Sequence, residues 1–440
     1  MQTLQDESND IGASIYGLAS ELFPINRSIT GDGVRETLKI LKIVCPGLAV
    51  HEVPSGTKAF DWTVPKEWNV REAFIERPDG RRIAEFLKNN LHLVGYSTPV
   101  DCLMPLAELQ KYLHSLPHMP SAVPYVTSYY EERFGFCLSH EERASLTEGE
   151  YRVYIDSELK DGALAYGEAV FPGESDEEIF FSAYICHPSM ANDNLSGPCI
   201  AAHVAAWVAD APRRYSYRFV FVPETIGSIT YMSRNLDALK SRVIAGFNLS
   251  CLGDPGHFSY IASRYANTLA DRAAKSVLKF FDANFKSFSF LCRGSDERQY
   301  NAPGVDLPLC GLTRTRFGDF PQYHTSADDM NFITPDALAG SFALIREIVE
   351  SLEANRRYRV KTLCEPQLSP RGLYPSMGTR GSAWEARSIM NFMAYCDGAN
   401  DLFRVSEIIG EPALKLADIA KILIDAELLE EAPANDEVIL

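Results

Sequence analysis

Apolar positions along the chain change period in a way that separates strands from helices. Ile11, Ile15, Leu18 and Leu22 recur at helical spacing over residues 10–23, and a second helix is predicted from about residue 34 to 44. Apolar runs at 163–170, 179–185, 218–222 and 243–252 read as buried strands, with a further apolar segment at 307–312. Helical spacing returns at 197–209, 228–239 and 269–281. A long helix follows, with Thr334 as N-cap, Pro335 as its first residue and Leu352 near its end. This alternation predicts an α/β fold, a mixed and mostly parallel sheet with helices on both faces.

Two stretches depart from that rhythm. From 60 to about 160 the pattern breaks into short segments rich in aromatics and proline (DWTVPKEW, VGYSTPV, VPYVTSYYEERFGFCLS). Proline-interrupted segments of this length do not make long helices, so a small β-rich domain is expected here, its last strand at 151–155. Beyond a Pro/Arg/Gly-rich linker at 365–380, short helical patterns at 385–395, 402–409 and 413–427, with a break at Asp397 and Gly398, resemble a winged-helix module. The expected organisation is a catalytic domain over 1–59 and 161–365, an inserted domain over 60–160, and a winged-helix-like domain over 366–440. There is no internal repeat or low-complexity segment.

With 440 residues, 46% hydrophobic and 23% charged, the chain has the composition of a globular protein of two or three domains. Its formal charge of -17 repels nucleic acid and anionic membranes. The C-terminal module is itself acidic, with four Lys/Arg against twelve Asp/Glu from Glu385 to Leu440. A DNA-reading face has to be basic, so this module is expected to contact protein or to dimerise. Ten scattered cysteines without a CxxC pair suit packed, reduced thiols. The polar start MQTLQDESND carries no signal peptide and no apolar run approaches ~18 residues, so a cytoplasmic location is expected.

Candidate chemistry gathers where strands end. In IFFSAYICHPSMANDNLSG a strand gives way to a loop bearing His187 and Asp193, at the carboxyl edge where open α/β sheets place ligands. An imidazole and a carboxylate on one loop begin a zinc site that needs a third ligand from elsewhere. VPETIGS places Glu224 at the same edge, as a general base for metal-assisted hydrolysis or as a helix N-terminal acid favoured by the macrodipole. YHTSADD offers His324 as the third ligand and Asp328 as a carboxylate that fixes a ring tautomer. Asp296, Glu297 and Arg298 bunch before a strand, where they anchor a charged substrate group or form a solvated turn. Arg27 and Arg35, around the FPINRSITGDG turn, bind a carboxylate or cap the next element.

Five segments occur in a familiar order: ANDNLSG, the E-x-x-G-S from Glu224, NLSCLG, the SD…P-G…LP pattern from Ser295, and YHT. Together they resemble zinc aminopeptidases of the bacterial leucyl aminopeptidase type, which are similar to glutaminyl cyclases. The chain as a whole resembles the aminopeptidase-like proteins with an inserted small domain and a C-terminal winged helix, often linked to sugar or natural-product biosynthesis. The resemblance implies His187, Asp193 and His324 as metal ligands and Glu224 as general base. Three positions depart from the two-zinc members: Ser189, Thr225 and Ser250 stand where those carry carboxylates. Without those charges to offset a second cation, one zinc is expected rather than two.

The expected function is zinc-dependent hydrolysis of an amide bond, aminopeptidase-like, in a small peptide or an aminoacyl or acyl-sugar metabolite. Tyr323, Arg298 and Arg316 are the candidates for stabilising the oxyanion or holding a substrate carboxylate, with Glu297 beside them as a substrate contact. The alternative is a catalytically degenerate zinc-binding or protein-interaction module of the same fold. A third reading, transcriptional regulation through the C-terminal module, requires salt-dependent DNA binding. Expected partners are a substrate and a second copy of the chain, with no nucleic acid and no membrane.

Overall fold

The structure, a computed structural model, describes residues 2–128, 130–373 and 383–433. Part of the 365–380 linker and the last seven residues of the C-terminal module lie outside the described residues. Two compact units emerge, Met1–Ala270 with Lys286–Ala343, and Asp271–Phe285 with Leu344–Leu440.

The first unit is built on an eight-stranded sheet. In spatial order its strands are Ala49–Pro54, Ala163–Phe171, Ser216–Val222, Glu178–Tyr184, Val243–Leu249, Leu309–Thr313, Ser259–Ile261 and Lys286–Phe288. The four strands from Ser216–Val222 to Leu309–Thr313 run parallel, and antiparallel partners flank them on both sides. Every residue of Glu178–Tyr184 and of Ser216–Val222 is buried, which a strand achieves only when both sheet faces are covered. The mixed, mostly parallel sheet read from the apolar runs is thus the one that forms. The last two strands of that order, Ser259–Ile261 and Lys286–Phe288, are too short to leave a periodic signal.

Local sequence explains where helices begin. Thr334 caps the helix Pro335–Ala354, its Oγ1 accepting from the Ala337 amide at 3.1 Å. Gly197 opens Gly197–Ala209 because a Cβ there would sit 2.4 Å from the Leu249 carbonyl oxygen. No helix among the described residues is long and apolar enough to cross a membrane.

The aromatic stretch folds on a four-stranded antiparallel sheet, Arg82–Ile83, Glu67–Glu76, Glu150–Lys160 and Val100–Pro105 in spatial order. Its apolar side has no boundary with the main sheet: Trp68, Ile75 and Tyr151 belong to one buried cluster with Tyr184, Val220 and Val222. One arginine pairing ties the sheet to the helix Asp32–Val44, and a second crosses two of the sheet's own strands. Arg35 grips Glu67 bidentately at 2.9 and 2.6 Å, and Arg71 pairs with Asp156.

In the second unit the helices Ala383–Ala394, Leu402–Ile409 and Ala413–Asp425 accompany a three-stranded sheet, Asp397–Asp401, Arg357–Val360 and Leu429–Ala432 in spatial order. The Asp397–Gly398 break is the start of one strand. Arg357–Val360, upstream of the residue 366 boundary read from the sequence, supplies the middle strand. Asp401 caps Leu402–Ile409 by accepting from the Arg404 amide, and Gly410 ends it at φ 72°.

Candidate metal centre

Parallel topology assembles the site. Tyr184 and Val222 are register partners on neighbouring strands, so His187 and Glu224, three and two residues further on, emerge at one sheet edge. The Glu224 amide donates to Cys186 Sγ at 3.2 Å, joining the two loops. After His187 the chain makes a widened helical turn, Ala191–Ser196, in which Asp193 leaves helical geometry (φ -107°, ψ 80°). Four non-glycine residues around the site hold positive φ: Ser189, Thr225, Cys251 and His324. Each costs about 1–3 kcal/mol and persists only where surrounding contacts enforce it. Asp296 enforces the second, its Oδ1 accepting from the Thr225 amide at 2.8 Å and from Ser228 Oγ at 2.7 Å.

His187, Asp193 and His324 converge, with one donor atom from each within 4.8 Å of the others. Donors held tetrahedrally around zinc lie about 3.4 Å apart, given bonds near 2.1 Å, so small side-chain adjustments suffice. His324 Nε2 lies 3.0 Å from Asp193 Oδ2 yet is out of line for a hydrogen bond and is otherwise buried without a partner. A cation between these atoms satisfies both. The donor set therefore fits a single zinc with a position left for a fourth ligand.

Burial lowers the His187 pKa to about 4, so the ring is neutral and its lone pair available at pH 7. Burial would raise Asp193, but the two imidazoles and the Tyr184 hydroxyl, which donates to it, hold it down at about 2. Glu224 Oε2 is 4.0 Å from His187 Nε2, and 21% of its side chain is exposed. Desolvation first, then the charges of Asp296 and Asp193, push its pKa well up. A bound cation acts in the opposite direction.

The other sequence candidates fall into distinct places. Tyr323 stacks on His324, ring centres 3.9 Å apart and planes 13° apart. Arg298 donates to Thr225 Oγ1 at 2.6 Å, reaching the loop of Glu224. Glu297 is buried, and both its oxygens accept protein hydrogen bonds: Oε1 from the Gly294 and Ser295 amides, Oε2 from Asn248 Nδ2. Arg316 pairs with Asp319. Asp328 does not orient an imidazole. Its carboxylate accepts from the Asn192 and Asp193 amides at 2.6 and 2.8 Å and so positions the Asp193 loop.

Two tyrosines escaped the sequence reading. Tyr184 had a signal, a hydroxyl at the last position of a largely apolar strand that leads into the His187 loop. Tyr125 had none: it lies in the aromatic stretch, and only folding brings its ring 5.4 Å from His187 and 5.1 Å from His324.

Residues 16–355 match the family described as "Domain of unknown function (DUF4910)", and residues 356–431 match a winged helix-turn-helix family. The chain is 42% identical over 426 residues, 96% of its length and 97% of the relative's, to a Clostridium acetobutylicum protein described as "Putative polysaccharide biosynthesis protein with aminopeptidase-like domain". Among solved structures it is similar to a "putative peptidase" of Clostridium acetobutylicum, with 40% identity, TM-score 0.91 and coverage of 98% of this chain and 99% of that one. It is also similar to a zinc aminopeptidase from Bacillus subtilis, with TM-score 0.55, 14% identity and coverage of 77% and 95%, a likeness of fold. This chain belongs to the DUF4910 family, built on the zinc aminopeptidase fold and continued by a winged helix.

Proposed function

We propose that this chain is a zinc-dependent hydrolase of an amide bond, aminopeptidase-like, acting on a small peptide or on an aminoacyl or acyl-sugar metabolite. The observation that carries this reading is the meeting of His187, Asp193 and His324 around one point with Glu224 alongside. A zinc ion held by His187, Asp193 and His324 would supply Lewis acidity towards a water and a substrate carbonyl. Glu224 takes the water's proton on its carboxylate and returns it to the leaving amine. Tyr184 and Asp328 keep Asp193 in place, and Tyr323 stacks on the ring of His324.

One zinc suits the site better than two. Thr225 Oγ1 accepts from Arg298, and Ser189 Oγ donates to the Phe23 carbonyl and accepts from Asn90, so two of the three departing positions already serve the protein. Ser250, the third, brings no negative charge to a second cation. The polysaccharide-biosynthesis description of the relative favours a sugar-linked amide among the substrates.

The test is elemental analysis of the purified protein joined to a turnover screen of aminoacyl-arylamides and acyl-sugar amides. The expected result is about one zinc per chain with turnover that a chelator abolishes and zinc restores. One zinc without turnover on either class would leave the binding-module reading in its place.

A further inference from the structure

The run Asp296, Glu297, Arg298 divides its three charges between two tasks. Glu297 turns inward and anchors the short helix Glu297–Tyr300 to the central sheet, its Oε2 accepting at 3.0 Å from Nδ2 of Asn248 on the strand Val243–Leu249. The residues on either side of it both reach Thr225. Asp296 Oδ1 accepts from the Thr225 amide at 2.8 Å, and Arg298 Nη2 donates to Thr225 Oγ1 at 2.6 Å. This is the one hydrogen bond of the Arg298 guanidinium among the described residues, and its Nε is buried without an acceptor.

Thr225 directly follows the candidate base, and its backbone is strained. At φ 64° and ψ -77°, with the Ile226 amide donating to the Glu224 carbonyl at 2.8 Å, residues 224–226 form a γ-turn of the rare, positive-φ kind. A β-branched residue adopts that conformation only where its surroundings enforce it. The Glu224 carboxylate accepts no hydrogen bond among the described residues, so its place 4.0 Å from His187 Nε2 is set through the backbone. Relaxation of the turn would rotate the peptide that follows Glu224 and shift its carboxylate. A charged donor makes a stronger bond to a hydroxyl than a neutral one does, and this donor stands on a helix fixed to the sheet.

We propose that Arg298 is a positioning residue: through Thr225 Oγ1 it holds the strained turn that presents Glu224 to the metal centre. Its effect on turnover rests on the hydrolase reading above; the clamp on the turn does not.

Hydrogen exchange and steady-state kinetics of the zinc-loaded protein test this in Thr225→Val, Thr225→Ser, Arg298→Met and the double variant Arg298→Met/Thr225→Val. Thr225→Val keeps the charge of Arg298 and the branched shape at 225 and removes only the acceptor, so it decides alone if Arg298→Met does not fold. Amides of residues 225–228 should exchange about tenfold faster in Thr225→Val and in Arg298→Met. Zinc content should be unchanged, and kcat should fall about tenfold to a hundredfold with KM within about twofold. Thr225→Ser should recover most of that loss, and the double variant should be about as slow as the slower single one, because both changes remove the same bond. Unchanged exchange at 225–228 would overturn the clamp. Losses that multiply in the double variant, or Thr225→Ser as slow as Thr225→Val, would overturn the link between Arg298 and Thr225, and faster exchange with unchanged kcat would overturn the positioning of Glu224. Absence of turnover in the unaltered protein would count against the hydrolase reading, and exchange would still decide the clamp.

Discussion

Replacing the carboxylate of Glu224 by an amide, Glu224→Gln, separates a base from a structural acid. Among the described residues the Glu224 carboxylate makes no protein hydrogen bond, and it is raised in pKa by desolvation and by Asp296 and Asp193. A carboxyl raised above its ordinary 4.5 stabilises nothing by ionising. The metal-free fold is at its most stable, as far as this group is concerned, below that value and loses stability as pH rises towards the folded-state pKa. Glu224→Gln removes that penalty, so metal-free protein should melt at a higher temperature, with a flatter pH dependence above 4.5. Zinc content should not change, because Glu224 lies outside the converging set of ligands. Turnover should fall about 10²–10⁴-fold, the usual worth of a positioned general base, or roughly 3–5 kcal/mol of transition-state stabilisation. The measurements are elemental analysis, a melting curve at several pH values and initial rates. Unchanged turnover with zinc bound would refute the role of base, and a melting point lowered by several degrees would show the carboxylate to be structural.

Three further outcomes follow from other contacts. His324→Ala should drop zinc content well below one equivalent at neutral pH while the fold persists, since 33% of the side chain is already exposed; circular dichroism alongside metal analysis checks this. The Arg35 hydrogen bonds, against the opposing effect of burial, hold Glu67 at a pKa of about 2, so its stabilisation is complete above 4.5 and disappears as pH falls towards 2. Glu67→Gln should therefore cost about 2–3 kcal/mol at pH 7 in denaturant unfolding and shrink the loss between pH 4.5 and 2. Gly197→Ala forces a methyl to within 2.4 Å of the Leu249 carbonyl and should destabilise by about 1–3 kcal/mol, whereas Gly17→Ala, with open space around it, should not.

Local pattern was enough for the five main-sheet strands from Ala163–Phe171 to Leu309–Thr313 and for the helices packed on them, because a strand covered on both faces must be apolar on both and a packed helix on one. It was enough as well for the edge at which His187 and Glu224 stand, since that follows from strand direction alone. Pattern could not reveal the short strands Arg357–Val360 and Ser259–Ile261, whose pairing energy comes from neighbours distant in sequence. Nor could it show that Glu297 turns both oxygens to protein donors, that Asp328 holds amides rather than an imidazole, or that Tyr125 reaches two histidines from the aromatic stretch. Arg27 is the sharpest case: as a residue beside a glycine-rich turn it could cap or bind. Folding took its surroundings out of water and set its Nε and Nη1 against the carbonyls of His187, Leu22 and Ile25, so that an ordinary surface-type charge braces the loop of a candidate metal ligand. Composition and order in the chain determine which groups are present and which elements carry them; desolvation and the sharing of hydrogen bonds, which exist only once distant segments meet, decide what each group is free to do.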